Sequence, residues 1–127
     1  MNVTSYAVSK KLAEIGFKSE TEFYYLETSP GEWGISYSKT NCYNNFIIKS
    51  YDLETLLAAL PKVIYGMPLK INLDRSDRIG YSTMKFEEEQ YVTFKRGGES
   101  LADTAARLLI LLESKGLVNF NKDNNKE

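Results

Sequence analysis

Apolar residues recur at helical spacing in three stretches of the chain and alternate with polar residues in the segments between them. The clearest stretch is Ser100 to Leu117, where Leu101, Ala105, Leu108, Leu109 and Leu112 form one stripe and Ala102 and Ala106 widen it. Ser100 with Asp103 three places on is an acidic variant of the capping box. Gly97-Gly98 lets the chain turn into the helix, and Gly116 ends it, with Leu117 placed for the apolar contact of a glycine cap. A stripe of that width has to be covered by something large. A first helix is predicted from a Thr4 or Ser5 cap to about Glu14, with Val8, Leu12 and Ile15 on one face and Gly16 then Phe17 after it. A second starts at Asp52, carries Leu53, Leu56, Leu57 and Leu60, and stops at Pro61.

Between the helices the period changes to two. Glu22 to Glu27 reads as an aromatic-rich strand, residues 28–31 (Thr-Ser-Pro-Gly) as a turn, and Trp33, Ile35 and Tyr37 as the inward set of a returning strand. Asn45 to Lys49 makes a short third strand. In the second half, Leu69, Ile71 and Leu73 alternate with Lys70 and Asn72, followed by strands at Tyr81 to Phe86 and Tyr91 to Lys95. Short links imply antiparallel pairing. The expected fold is therefore a two-layer α+β domain of order α-βββ-α-βββ-α, an antiparallel sheet of about six strands with three helices on one face.

Size and charge narrow the function classes. The 127 residues suit one domain, residues 1–120, followed by a polar tail, 121–127, expected to fray. Hydrophobic residues at 43% and charged residues at 26% belong to a folded chain rather than a disordered one. The net charge of −1 gives no general excess of cations for phosphate neutralisation, so nucleic acid is not the favoured partner. Cys42 is the only cysteine and histidine is absent, which removes disulfides, thiolate clusters, histidine metal sites and histidine-dependent nucleophilic catalysis. No catalytic residue, metal or cofactor is expected. No apolar run approaches the roughly 18 residues of a membrane span and no leader pattern opens the sequence, so a cytoplasmic location is the expectation.

If helices cover one face of the sheet, the other is where chemistry would gather. Pairing Met84 with Val92 turns Met84, Phe86, Val92 and Phe94 inward; Lys85 with Tyr91, Thr83 with Thr93, and Tyr81 with Lys95 then face outward, joined by Lys70 and Asn72. Such a face is good solvated-sheet chemistry in its own right. It also has the parts to stack and neutralise an anionic, ring-bearing ligand, for which Lys70, Tyr81, Lys85, Tyr91, Lys95 and Arg96 are the candidates. Residues 95–98 (Lys-Arg-Gly-Gly) lead into a helix start and have the parts of a phosphate-binding corner, although a plain connecting turn is the favoured reading of them. For a protein partner the candidates are Tyr37, Asn41, Tyr43 and Asn44 of the polar loop, with Arg75 and Arg78 of the hairpin turn.

The stretches Leu12 to Tyr25, Ser50 to Pro61 and Glu99 to Val118 resemble small uncharacterised proteins encoded by bacteriophages and prophages. The resemblance covers about a third of the chain and rests on capped helices plus one strand. It implies an α+β domain of mobile-element origin and carries over no catalytic residue. The expectation is a non-enzymatic binding module that sequesters a small anionic, nucleotide-like ligand or occupies a host protein, for instance to counter host defence. An accessory nucleic-acid binder using the open sheet face is the alternative, and an exposed edge strand or the aromatic loop would permit a homodimer.

Overall fold

Two glycines in the left-handed region set where the chain reverses. In the computed structural model, which describes residues 2–29, 31–36, 47–73, 77–81 and 91–120, helix α1 runs Tyr6–Glu14 with the Ser5 side chain capping it. Gly16 (φ +92°) then donates to Ala13 O and Phe17 to Leu12 O, which folds Phe17 back over its own helix. Helix α3, Leu101–Ser114, ends the same way: Gly116 (φ +78°) donates to Glu113 O and Leu117 to Leu112 O. Between them, α2 (Leu53–Ala59) is capped by Asp52, which accepts from Thr55 N at 2.9 Å.

The strands form two antiparallel sheets rather than one of six strands. In the first, β1 (Phe23–Ser29), β2 (Glu32–Ser36) and β3 (Ile47–Ser50) take the order β2-β1-β3, with Tyr25 opposite both Ile35 and Ile48. In the second, β4 (Val63–Ile64), β5 (Met67–Asn72), β6 (Arg78–Tyr81) and β7 (Val92–Phe94) follow in sequence order. The expected α+β class holds, with antiparallel pairing throughout, but the single sheet is split. The N-terminal segment lies along the end of β3, Val3 bridging Asp52 and Thr4 N donating to Tyr51 O at 2.9 Å.

Both halves share one core, and α3 is its axis. Ala102, Ala105, Ala106, Leu108, Leu109 and Leu112 are fully buried because α3 packs against α1 and α2 as well as against β6 and β7. Leu12 of α1, Leu56 of α2 and Ile79 of β6 meet it in the same cluster. Burying a side chain of that size contributes roughly 1.5–3 kcal/mol. The alanines let neighbouring elements approach α3 closely, which explains why its apolar stripe is wider than one sheet face needs.

The second sheet has a different phase from the expected one. Leu69 pairs with Tyr81, Ile71 with Ile79, and Ile79 with Thr93, so these share the face toward α3; Lys70, Gly80 and Val92, like Asn72, Arg78 and Phe94, lie on the other. Thr93 is inward and Val92 and Phe94 are outward, the reverse of the sequence expectation. Inward, the threonine hydroxyl donates to Thr104 O at 2.9 Å and ties β7 to α3, while Val92 lies against Gly80, which has no side chain on that face. Ile71 and Leu73, expected in the core, are about half exposed.

Candidate functional site

The turn at Gly16 carries Phe17 and Lys18 past the end of α1 and alongside β3, the edge strand of its sheet. On β3, Ile48 and Ser50 share the face of Tyr25, whose ring meets Tyr6 of α1 edge-on at 5.7 Å. Lys49 alternates to the other face but, at an edge, reaches round to donate from Nζ to Ser19 O at 3.2 Å. Between α1 and β3 these elements enclose a hollow of about 250 Å³. Its apolar wall is Ala13, Phe17, Ile48 and Tyr51, its inner end Ser9, and Lys18 and Lys49 bring two cationic side chains to it.

The wall is rigid. Phe17 stands edge-on to Tyr51 at 4.8 Å and to Phe120 at 5.1 Å. Burial pushes the Tyr51 phenol up to about 12, against a hydrogen bond from the Ser19 backbone that pulls it down, so it is neutral across the physiological range. Ser9 and Thr4 share a 2.6 Å hydroxyl contact, Ser50 donates to Thr4 O at 2.9 Å, and Tyr51 N donates to Thr4 Oγ1 at 3.1 Å. No described side chain leaves a buried nitrogen or oxygen without a partner. The polar groups beneath the hollow are thus committed to one another, and the charged residues of its lining are Lys18 and Lys49, beside aromatic and aliphatic surface.

A second hollow, of about 410 Å³, is acidic, lined by Glu20, Glu22 and Asp52 with Thr21, Phe23 and Thr55. It does not make a metal centre: no cluster of three acidic or cysteine ligands suited to a metal occurs among the described residues. Asp52 is held below the usual carboxylate range by side-chain and backbone hydrogen bonds with Thr55, so its oxygen serves the α2 cap.

The residues expected to form one open face are dispersed. Tyr81 is 0% exposed: it shares the α3 face with Ile79, its hydroxyl donates to Pro61 O, and burial pushes its phenol up to about 12. It therefore offers no surface for stacking. Lys70 is exposed on the outer face of β5, and Arg78 on that of β6, its guanidinium 6.0 Å from the Phe94 ring. Tyr91 is half-buried beside the Tyr65 ring at 6.0 Å, with the Lys115 ammonium 5.6 Å over it; its cation comes from the end of α3. Lys85, Tyr37, Asn41, Tyr43, Asn44 and Arg75 lie outside the described residues.

The phosphate corner is closed by the chain's own oxygens. Asn2 Oδ1 accepts from Ala102 N at 3.0 Å and Ser100 Oγ from Asp103 N at 3.1 Å, so these amides of the first turn of α3 are taken. Glu99 accepts from Arg96 N at 2.9 Å and from Arg107 at 2.7 and 2.8 Å. An anion arriving beside Arg96 would meet that carboxylate. Lys95 is half-buried, with its backbone N–H spent on Asp77 O at 2.8 Å, while Arg96 is exposed.

The hollow's own residues carry no motif, since they come from positions 9–18 and 48–51. The signal that was there is local: each lysine sits within two positions of a buried aromatic, Lys18 after Phe17 and Lys49 before Tyr51. No helix among the described residues is long and apolar enough to cross a membrane. Comparison of the chain with protein-family models, with curated proteins and with solved structures returns no match.

Proposed function

We propose that this protein is a non-enzymatic binding module that sequesters a small anionic, ring-bearing ligand in the hollow between α1 and β3. The observation that carries this reading is the pairing of Lys18 and Lys49 with the Phe17 and Tyr51 wall: charge for an anionic group, apolar and aromatic surface for a ring. At about 250 Å³ the hollow falls just below the roughly 300–1,000 Å³ of pockets for drug-sized ligands, so it suits one ring with its anionic group held at the lysines. A mononucleotide would place its base inside and its phosphate at the rim. The resemblance of three stretches to phage proteins supports a role in the cytoplasm of a host cell, where withdrawing a signalling nucleotide would be the corresponding use.

The test is native mass spectrometry and ultraviolet absorbance of protein purified from cells, followed by titration with nucleoside monophosphates. A bound mass with nucleobase absorbance, and an affinity lowered about tenfold to a hundredfold by Lys49→Met, is expected, since a hydrogen bond to a charged group contributes about 1.5–3 kcal/mol. A clean protein mass together with flat titrations refutes the reading. Binding only to oligonucleotides, with affinity falling steeply as salt rises, would replace it with the nucleic-acid alternative.

A further inference from the structure

Four of the five exposed large hydrophobic side chains among the described residues fall within eleven positions of the second sheet. They are Val63 (56% exposed), Tyr65 (73%), Ile71 (45%) and Leu73 (54%). The backbone there is open as well. Strand β4 has only two residues, opposite Met67 and Pro68, and its last bond along β5 is Leu69 N–H to Lys62 O at 2.9 Å. Alternate residues of a strand point their N–H and C=O groups to the same side. Ile71 therefore aims both groups to the side of β4, beyond the point where β4 ends, while Lys70 and Asn72 bond toward β6. No strand of the described residues lies beside Ile71 on that side.

Charge selects what can lie there. Lys62 and Lys70 are both exposed along this edge, and neither takes part in an ion pair among the described residues. A lysine on an edge strand is a common guard against indiscriminate pairing. A guarded edge, however, does not need an adjacent pair of half-exposed aliphatic side chains on its other face. With Lys70 on one face and the exposed Ile71 and Leu73 on the other, β5 fits a strand of the opposite pattern.

We propose that β5, from Lys70 to Leu73, accepts an extended segment of a partner protein as an added strand. That segment carries apolar residues at alternate positions beside Ile71 and Leu73, and Asp or Glu between them beside Lys70. Backbone hydrogen bonds to Ile71 supply the register and side chains on the two faces supply the selectivity. This surface lies on the sheet opposite in sequence to the α1–β3 hollow and does not depend on the ligand reading.

The test uses the full chain against a displayed library of random twelve-residue peptides, with enriched peptides then titrated and the Ile71 amide followed by NMR hydrogen exchange. Expected are sequences alternating apolar and acidic residues, slowed exchange at Ile71 on binding, and roughly tenfold weaker binding by Lys70→Glu. Ile71→Pro removes the edge N–H without touching a bond to β6 and should abolish binding; if that variant does not fold, Lys70→Glu still decides. No enrichment, enrichment without alternation, or binding that leaves Ile71 exchange unchanged overturns the proposal. Concentration-dependent protection of Ile71 in the protein alone also overturns it, because the occupant is then a second copy of the chain.

Discussion

Glu99 gives the sharpest quantitative test of the fold. Its side chain is 11% exposed and that of Arg107 is 20%. Arg107 donates through Nε to Oε2 at 2.7 Å and through Nη2 to Oε1 at 2.8 Å, and the same Nη2 holds Phe94 O at the end of β7. Burial alone would raise the Glu99 carboxyl; hydrogen bonds from Arg107, Arg96 N and Thr104, with the Arg107 charge, outweigh it and hold the group down to about 2. Against an ordinary value of 4.5, that shift corresponds to about 3 kcal/mol of folded-state preference for the carboxylate.

The sign follows from proton binding. The unfolded chain protonates Glu99 before the folded one does, so the contribution is complete above about pH 4.5 and is lost as pH falls toward 2, with about half remaining at pH 3. Asp103 runs the other way: burial raises its carboxyl, so acid relieves rather than adds to its cost. The comparison of wild type with Glu99→Gln cancels the part of that second group due to burial, the Glu99 charge being only a lesser cause of its rise. Urea denaturation at pH 7, 5 and 3 should give a difference of about 3 kcal/mol at pH 7 and 5 that falls to about half at pH 3. A difference below 1 kcal/mol at pH 7, or one that stays constant with pH, would refute the reasoning.

Three other outcomes follow from single contacts. Gly80→Ala places a Cβ 2.4 Å from Tyr91 O and 2.5 Å from Val92 Cα, backbone atoms that cannot step aside, and should cost about 3 kcal/mol in urea denaturation. Leu109→Ala, at a fully buried position of α3, should lower stability by about 2–5 kcal/mol in the same assay. Tyr51 and Tyr81, both raised to about 12 chiefly by burial, keep their contribution below pH 10 and lose it as pH rises through 12. Phenolate absorbance should therefore grow in two stages, the second coinciding with loss of helical circular dichroism, and Tyr81→Phe should move that loss to higher pH.

What the sequence made legible is what short-range chemistry decides. Ser5 and Gly16, Asp52 and Pro61, and Ser100 and Gly116 bracket three helices because capping uses groups within a few positions of the helix end. The strand phase was not legible in the second sheet. Tyr81, Val92 and Phe94 are all apolar enough to face inward, and the contacts that go with the observed phase, Thr93 Oγ1 to Thr104 O and Val92 against Gly80, join residues eleven and twelve apart. The seating of the N-terminal segment joins residues still further apart, Val3 and Thr4 against Tyr51 and Asp52. The candidate site was hidden for the same reason: its lysines become neighbours only once α1 lies beside β3.

The N-terminal segment shows how the hollow and the core depend on one another. Asn2 caps α3 through Ala102 N, Val3 O accepts from Ser100 Oγ, and Ser5 N donates to Asp103 Oδ1 at 2.7 Å, so residues 2–5 are fixed at the start of α3. Thr4, between them, holds Ser9, Ser50 and Tyr51, and its carbonyl accepts from Tyr25 at 3.0 Å. The floor of the hollow is therefore hung from the N-terminus of the central helix by a buried polar network in which loss of one partner leaves another unsatisfied. Such a network costs side-chain freedom that a purely apolar joint would not, and it returns a single geometry for Ser9 and Tyr51 relative to α1 and β3. A preformed wall lowers the ordering cost of binding a small ring, which is where a hollow of this size has to find its affinity.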